Sequence, residues 1–195
     1  MKLILTIVIG YLIGCFSSAY FVGRVSKGID IRLHGSGNAG ATNALRVMGL
    51  RLGALTFLLD ALKGIVAVII GRLIMGYNGG LICGFLAVVG HNWPIFLQFK
   101  GGKGVATSIG VLASLHLPSA LLAAPIAIIL ILITKYVSLG SLVFLASVPI
   151  TYALAAGDFK KQYFALSLLL ALLSIIRHKK NIERLLAGNE NKIGR

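Results

Sequence analysis

Apolar runs recur along almost the whole chain, and several approach the roughly 20 residues that a helix needs to cross about 30 Å of hydrocarbon. They lie near residues 3–23, 52–75, 79–98, 105–117, 119–134, 138–157 and 161–176. Of 195 residues, 57% are hydrophobic and only 12% charged, and the mean hydropathy is +0.93. A soluble domain of this size cannot bury so much apolar surface, so the expected class is an all-α integral membrane protein, a single transmembrane domain over residues 1–195.

A net charge of +14 would suggest nucleic acid in a soluble protein. Here the charges sit mostly between the apolar runs, where anionic headgroups and topology account for them and nucleic acid is not expected as a partner. The fourth and fifth runs read either as one helix kinked at Pro118 or as two helices turning at His116-Leu117-Pro118. Charge parity favours seven spans with the N-terminus outside and the C-terminus cytoplasmic. One face then gathers Arg24, Lys27, Arg32, Arg46, Arg51, Lys100, Lys103, Lys135, Arg177, Lys179, Lys180, Arg184, Lys192 and Arg195, fourteen of nineteen basic residues. Six spans would carry the basic tail to the outer face, against the positive-inside rule. The start, MKLILTIVIGYLIGC, has the form of a signal peptide, with a lipoprotein-like box at Leu12–Cys15. Its apolar run continues to Val22 and ends at Arg24 and Lys27, which suits an uncleaved first span. The fourth run, 105–117, would extend only about 20 Å as a helix, too short to cross unaided. Short segments interrupted by glycine often lie beside a ligand site.

GSGNAG, Gly35–Gly40, matches G-x-G-x-x-G, and Asp60 follows at a suitable distance. A dinucleotide site needs a strand before the glycines and a βαβ unit around them, and neither is available here. The composition still suits an anion. Gly35, Gly37 and Gly40 free the backbone N–H groups to converge, Ser36, Asn38, Thr42 and Asn43 add neutral donors, and Arg46 adds a charged fork.

A second constellation, HNWPIFLQFKGGKGVATS from His91 to Ser108, lies on the same face. It lacks the Walker A spacing, yet Lys100, Gly101, Gly102, Lys103 and Gly104 open the fourth run. Lysines, free amides and a positive helix end together form a phosphate cradle, with Thr107 just inside. His91 and Asn92 are polar residues within an apolar run, and either bond a neighbouring helix or serve the site. Asp60 and Lys63 share a helix face inside the second run, as an ion pair or as site residues. Arg177, His178 and Asn181 follow the last run. Cys15 and Cys83 read as small core residues, and the histidines lack metal-ligand spacing, so no metal or cofactor is expected.

GSGNAGATNALR, DALKG, HNWPIFLQFKGGKGVATS and RHKKNIERLLAGNE, in that order and over nearly the whole chain, resemble the motifs of the bacterial acyl-phosphate:glycerol-3-phosphate acyltransferases. The resemblance implies a multi-pass enzyme of the bacterial cytoplasmic (inner) membrane. It would move a fatty acyl group from acyl phosphate to glycerol 3-phosphate, giving lysophosphatidic acid for phospholipid synthesis. Membrane lipids, and the soluble enzyme that makes acyl phosphate, would be its further partners.

Two phosphorylated substrates require two adjacent anion sites. Ser36, Asn43 and Arg46 are expected to grip one phosphate, and Lys100, Lys103 and the amides near Gly104 the other, with Lys63 in support and His178 and Asn181 closing the pocket. No Ser-His-Asp order and no H-x-x-x-x-D signature is present. The general base is therefore either His91 or the donor's own phosphate, and the second is favoured. A transporter of phosphorylated metabolites would show repeats or broken helices in both halves, and a lipid-binding structural protein would need no paired phosphate sites.

Overall fold

The computed structural model describes residues 1–194; Arg195, one of the residues assigned above to the cytoplasmic face, lies outside them. Among the described residues every regular element is helical. Four stretches are long and apolar enough to cross a membrane: Lys2–Lys27, Leu50–Leu97, Leu117–Thr134 and Val137–Ala155. The chain divides into two compact units, Met1–Leu115 and a second beginning at His116.

In the first unit the expected initial span, 3–23, is two helices, α1 (Lys2–Cys15) and α2 (Ser18–Lys27), with extended backbone at Phe16 and Ser17. A buried lysine explains why the break is tolerated: Lys63 Nζ donates to the carbonyls of Phe16 (2.7 Å) and Gly14 (3.3 Å), which the interrupted ladder leaves without helical partners. A short helix, α3 (Ala41–Met48), follows the glycine segment, so Thr42, Asn43 and Arg46 are helical rather than part of a loop.

α4 (Leu50–Asn92) would be about 65 Å long if straight, twice what a bilayer needs. Met75 (φ −138°, ψ 24°) and Gly76 (φ 63°, ψ −152°) break it, and the backbone of Gly79 returns against Gly71. The expected runs 52–75 and 79–98 are the two arms of this hairpin. Gly10 and Gly14 of α1 press on the backbones of Cys83 and Ala87 in the second arm, and Gly90 presses on Tyr11. Small residues at this spacing let helices approach where no hydrophobic effect drives them together. α5 (Val105–Leu115) is short, about 16 Å, and packs on α4, where Gly64 meets the backbone of Thr107 and Gly110 that of Ala61.

The second unit holds α6 (Leu117–Thr134), α7 (Val137–Ala155), α8 (Lys161–Arg177) and an amphipathic α9 (Lys179–Leu186) that periodicity had left inside a basic tail. His116 separates α5 from α6, the two-helix reading that charge parity favoured at Pro118. Its Nδ1 accepts the Ser119 N–H as a cap (3.2 Å), so α6 starts as a new helix. α6 turns Ser119, Ala120, Ala123 and Ala127 inward and Leu121, Leu122, Ile128, Ile129 and Leu132 outward, the reverse of a soluble helix and suited to lipid.

Candidate active site

The first glycine segment is organised from beneath by Asn43. Its buried amide accepts the Ser36 N–H (2.8 Å) and donates to the carbonyls of Ile31 (3.2 Å) and His34 (3.0 Å). This side chain, expected to bind phosphate, is committed to shaping the loop. Gly37 N–H turns back to the His34 carbonyl, and the Gly40 carbonyl opens α3 by accepting from Asn43 and Ala44. Asn38 Oδ1 lies beside Gly40, and Gly35 stands against Asn43. Ser36, Thr42 and Arg46 are exposed, the last two one helical turn apart.

Sequence reasoning missed the pair that joins this segment to the second. Arg32 grips Asp30 through both carboxylate oxygens (Nε–Oδ1 3.0 Å, Nη2–Oδ2 2.7 Å) and donates from Nη1 to the Leu97 carbonyl (3.2 Å). The Arg32 hydrogen bonds, outweighing partial burial, hold the Asp30 carboxyl below its ordinary range. Leu97 sits in a 3-10 turn, Ile95–Leu97, followed by Gln98 (φ 55°) and Phe99 (φ 60°), both left-handed. Consecutive non-glycine residues there mark a strained turn that its surroundings impose. The spacing Asp30-x-Arg32 was the signal available in the sequence, but no local pattern reveals a partner 65 positions away.

The second glycine segment is held by His91 and Asn92. Gly102 N–H donates to the His91 carbonyl (3.1 Å), and Gly101 lies against the His91 and Asn92 carbonyls. Gly104 takes φ 77° with the Asn92 side chain beside it, and its carbonyl accepts Ser108 N–H (2.7 Å) at the start of α5. Lys100 is exposed and Lys103 half-buried. Both amide atoms of Asn92 and the hydroxyl of Thr107 are wholly buried with no hydrogen-bond partner within the protein. An unpaired buried amide or hydroxyl costs about 1–3 kcal/mol, so the arrangement favours a polar guest at the head of α5.

Below this lies a buried polar knot. Asp60 Oδ1 receives Ser18 Oγ (2.8 Å) and Lys63 Nζ (2.9 Å), with His91 Nδ1 at 3.5 Å. Lys63 Nζ is also 2.8 Å from His91 Nδ1. Expected among the phosphate ligands, Lys63 is instead enclosed by protein acceptors.

His178 and Asn181 belong to the second unit. The Ser174 carbonyl, 2.8 Å from His178 Nδ1, can only accept, so Nδ1 carries a proton. Asn181 donates to Glu190 Oε1 (2.6 Å), which also receives Ser138 (3.0 Å), while Arg184 reaches Oε2 (2.7 Å). Burial alone would raise the Glu190 carboxyl; the bonds from Arg184, Asn181 and Ser138 outweigh it and set the group below its ordinary range.

The model of the family described as glycerol-3-phosphate acyltransferase matches residues 4–188. The chain belongs to that family. Proteins named glycerol-3-phosphate acyltransferase from Thermoanaerobacter sp. (strain X514) and Clostridioides difficile (strain 630) are 49% and 44% identical to it. The alignments cover 100% and 98% of this acyltransferase and 97% and 95% of the relatives. The fold is similar to crystal structures of PlsY (YgiH), an integral membrane glycerol 3-phosphate acyltransferase. Its glycerol 3-phosphate form gives a TM-score of 0.89 at 34% identity, and its lysophosphatidic acid form 0.90 at 33%. Each comparison covers 100% of this acyltransferase and 96% of the other chain. The resemblance stated from the motifs is thus borne out, and the protein is a multi-pass membrane acyltransferase of glycerol 3-phosphate.

Proposed function

We propose that this acyltransferase takes its acyl group from acyl phosphate, at the cytoplasmic face of the bacterial inner membrane, and delivers it to the C1 hydroxyl of glycerol 3-phosphate. The hydroxyl oxygen attacks the acyl carbonyl carbon, the bond from that carbon to the phosphate oxygen breaks, and inorganic phosphate leaves with the bonding electrons. The hydroxyl proton passes to the departing phosphate, so the step balances without a protein base. Lysophosphatidic acid is the other product.

The observation that carries this reading is the pair of orphaned buried groups, Asn92 and Thr107, at the start of α5 beneath Gly101–Gly104. Helix N-termini attract anions, and Lys103 adds charge at the same place. Ser36, Thr42 and Arg46 offer a second set of donors, exposed on a segment that Arg32 ties to the first. Because the donor is already activated, alignment of two phosphates and stabilisation of charge developing on the carbonyl oxygen are the main requirements. Seven spans with the N-terminus outside fit the distribution of basic residues, and the chain is taken as one functional domain.

Purified protein in detergent should release phosphate and form lysophosphatidic acid from acyl phosphate and glycerol 3-phosphate, with no turnover from acyl-CoA. Turnover without a sealed membrane also excludes transport. Preference for a thioester donor, or silence of well-folded protein, overturns the assignment. Cysteines placed at Ser36 and Lys103 should both be labelled from the cytoplasmic side.

A further inference from the structure

We infer that Lys63 is a positioning residue. It fixes the tautomer of His91 so that the imidazole presents Nε2–H, a donor, to the second glycine segment. An ammonium has hydrogens and no lone pair, so at 2.8 Å from Lys63 Nζ the His91 Nδ1 is placed to accept from it, the Asp60 carboxylate lying farther off at 3.5 Å. Two N–H groups cannot face each other at that distance. Asp60, 2.9 Å from the same ammonium, keeps Lys63 in place, and the third hydrogen is shared between the carbonyls of Phe16 (2.7 Å) and Gly14 (3.3 Å). The His91 proton is therefore on Nε2.

That nitrogen occupies the space which a Cβ on Gly102 would fill. The neighbouring backbone is bound to the same residue, through Gly102 N–H and the His91 carbonyl. A single residue thus holds the segment by its main chain and faces it with a ring whose orientation Lys63 sets. Metal-bound histidines are fixed in the same way by a group on their second nitrogen; here the orienting group is a cation that forces acceptance rather than a carbonyl that forces donation. The consequence for the reaction, which rests on the function proposed above, is that His91 has no lone pair at Nε2 to take the hydroxyl proton. It serves the cradle as a donor. The proton must then go to the leaving phosphate.

Nitrogen-15 NMR of histidine-labelled protein in lipid reads the tautomer directly and needs no substrate. Signals are assigned by subtraction with H34Q, H116Q and H178Q. His91 is expected as the Nε2–H form with an unprotonated Nδ1, and His178, whose Nδ1 faces the Ser174 carbonyl, with Nδ1 protonated. K63M should shift the His91 signals toward mixed tautomers and raise the Michaelis constant for a phosphorylated substrate about tenfold or more, with a smaller effect on kcat. A protonated Nδ1 on His91 in the unaltered protein overturns the inference, as do His91 signals that K63M leaves in place. Should K63M fail to fold, the unaltered protein's spectrum still decides. An inactive protein with the expected spectrum would count against the acyl-phosphate reading and leave this one standing.

Discussion

Arg32→Ala should weaken substrate binding although Arg32 lies in neither glycine segment. In the native chain this guanidinium makes two charge-assisted bonds to Asp30 and a third to the Leu97 carbonyl, and lies 5.3 Å from the centre of the Tyr20 ring. Removing it leaves a carboxylate that is only 9% exposed with its own loop amide and a distant Arg24 at 4.0 Å. It also strips the side-chain donor from the carbonyl of Leu97, a buried residue in a strained turn whose other residues are exposed. Hydrogen bonds to charged groups contribute about 1.5–3 kcal/mol each. Because the partial exposure of Arg32 weakens the pair, a net loss of about 2 kcal/mol in holding the two segments in register is reasonable. At 1.4 kcal/mol per tenfold, that is roughly a 30-fold loss of apparent affinity for a substrate held between them as proposed. Steady-state kinetics in detergent would read this as a raised Michaelis constant, and hydrogen exchange should quicken over residues 95–104. Arg32→Lys should recover only part, since an ammonium cannot grip both oxygens and reach Leu97. Asp30→Asn combined with Arg32→Ala should be little worse than Arg32→Ala alone. Unchanged Michaelis constants for both substrates, with unchanged exchange over 95–104, would refute the coupling.

Gly104→Ala should lower activity severalfold or more at near-normal expression, because φ 77° is strained for alanine by about 1–2 kcal/mol and the new Cβ would press on Asn92 Oδ1 and Val88; wild-type turnover would show the turn to be dispensable. Arg46→Glu should raise the Michaelis constant of at least one phosphorylated substrate about tenfold or more, and intact constants for both would remove α3 from the phosphate site. Asp30 and Glu190 titrate below their ordinary range in the folded chain, so the stability they contribute is full above the unfolded carboxylate values near 4. That contribution is lost as pH falls through the depressed folded values. Thermal unfolding in detergent should therefore steepen in its pH dependence below about pH 4, and Glu190→Gln should both lower the melting temperature at neutral pH and flatten that dependence.

Much of this protein is written in local chemistry. Apolar length and the scarcity of charge fix a helical membrane chain without reference to any contact. The clustered glycines and cations of Gly35–Arg46 and Lys100–Gly104 mark the proposed anion sites, because convergent amides need glycine and phosphates need positive charge. The return of α4 at Gly76 was legible as the gap between the runs 52–75 and 79–98. The interruption of the first span was not, since it depends on Lys63, far along the chain. Lys63 shows why. On its own helix it is a costly charge three residues from Asp60, equally suited to a ligand or an ion pair. Only tertiary packing brings it to the carbonyls of Gly14 and Phe16 and to the ring of His91. Asn43 and Arg32 were decided in the same way, one drawn into the loop it shapes and the other toward Leu97. The composition of a segment determines which chemistry it can perform, but a donor's partner is set by distance in space, and that is known only once the helices have packed.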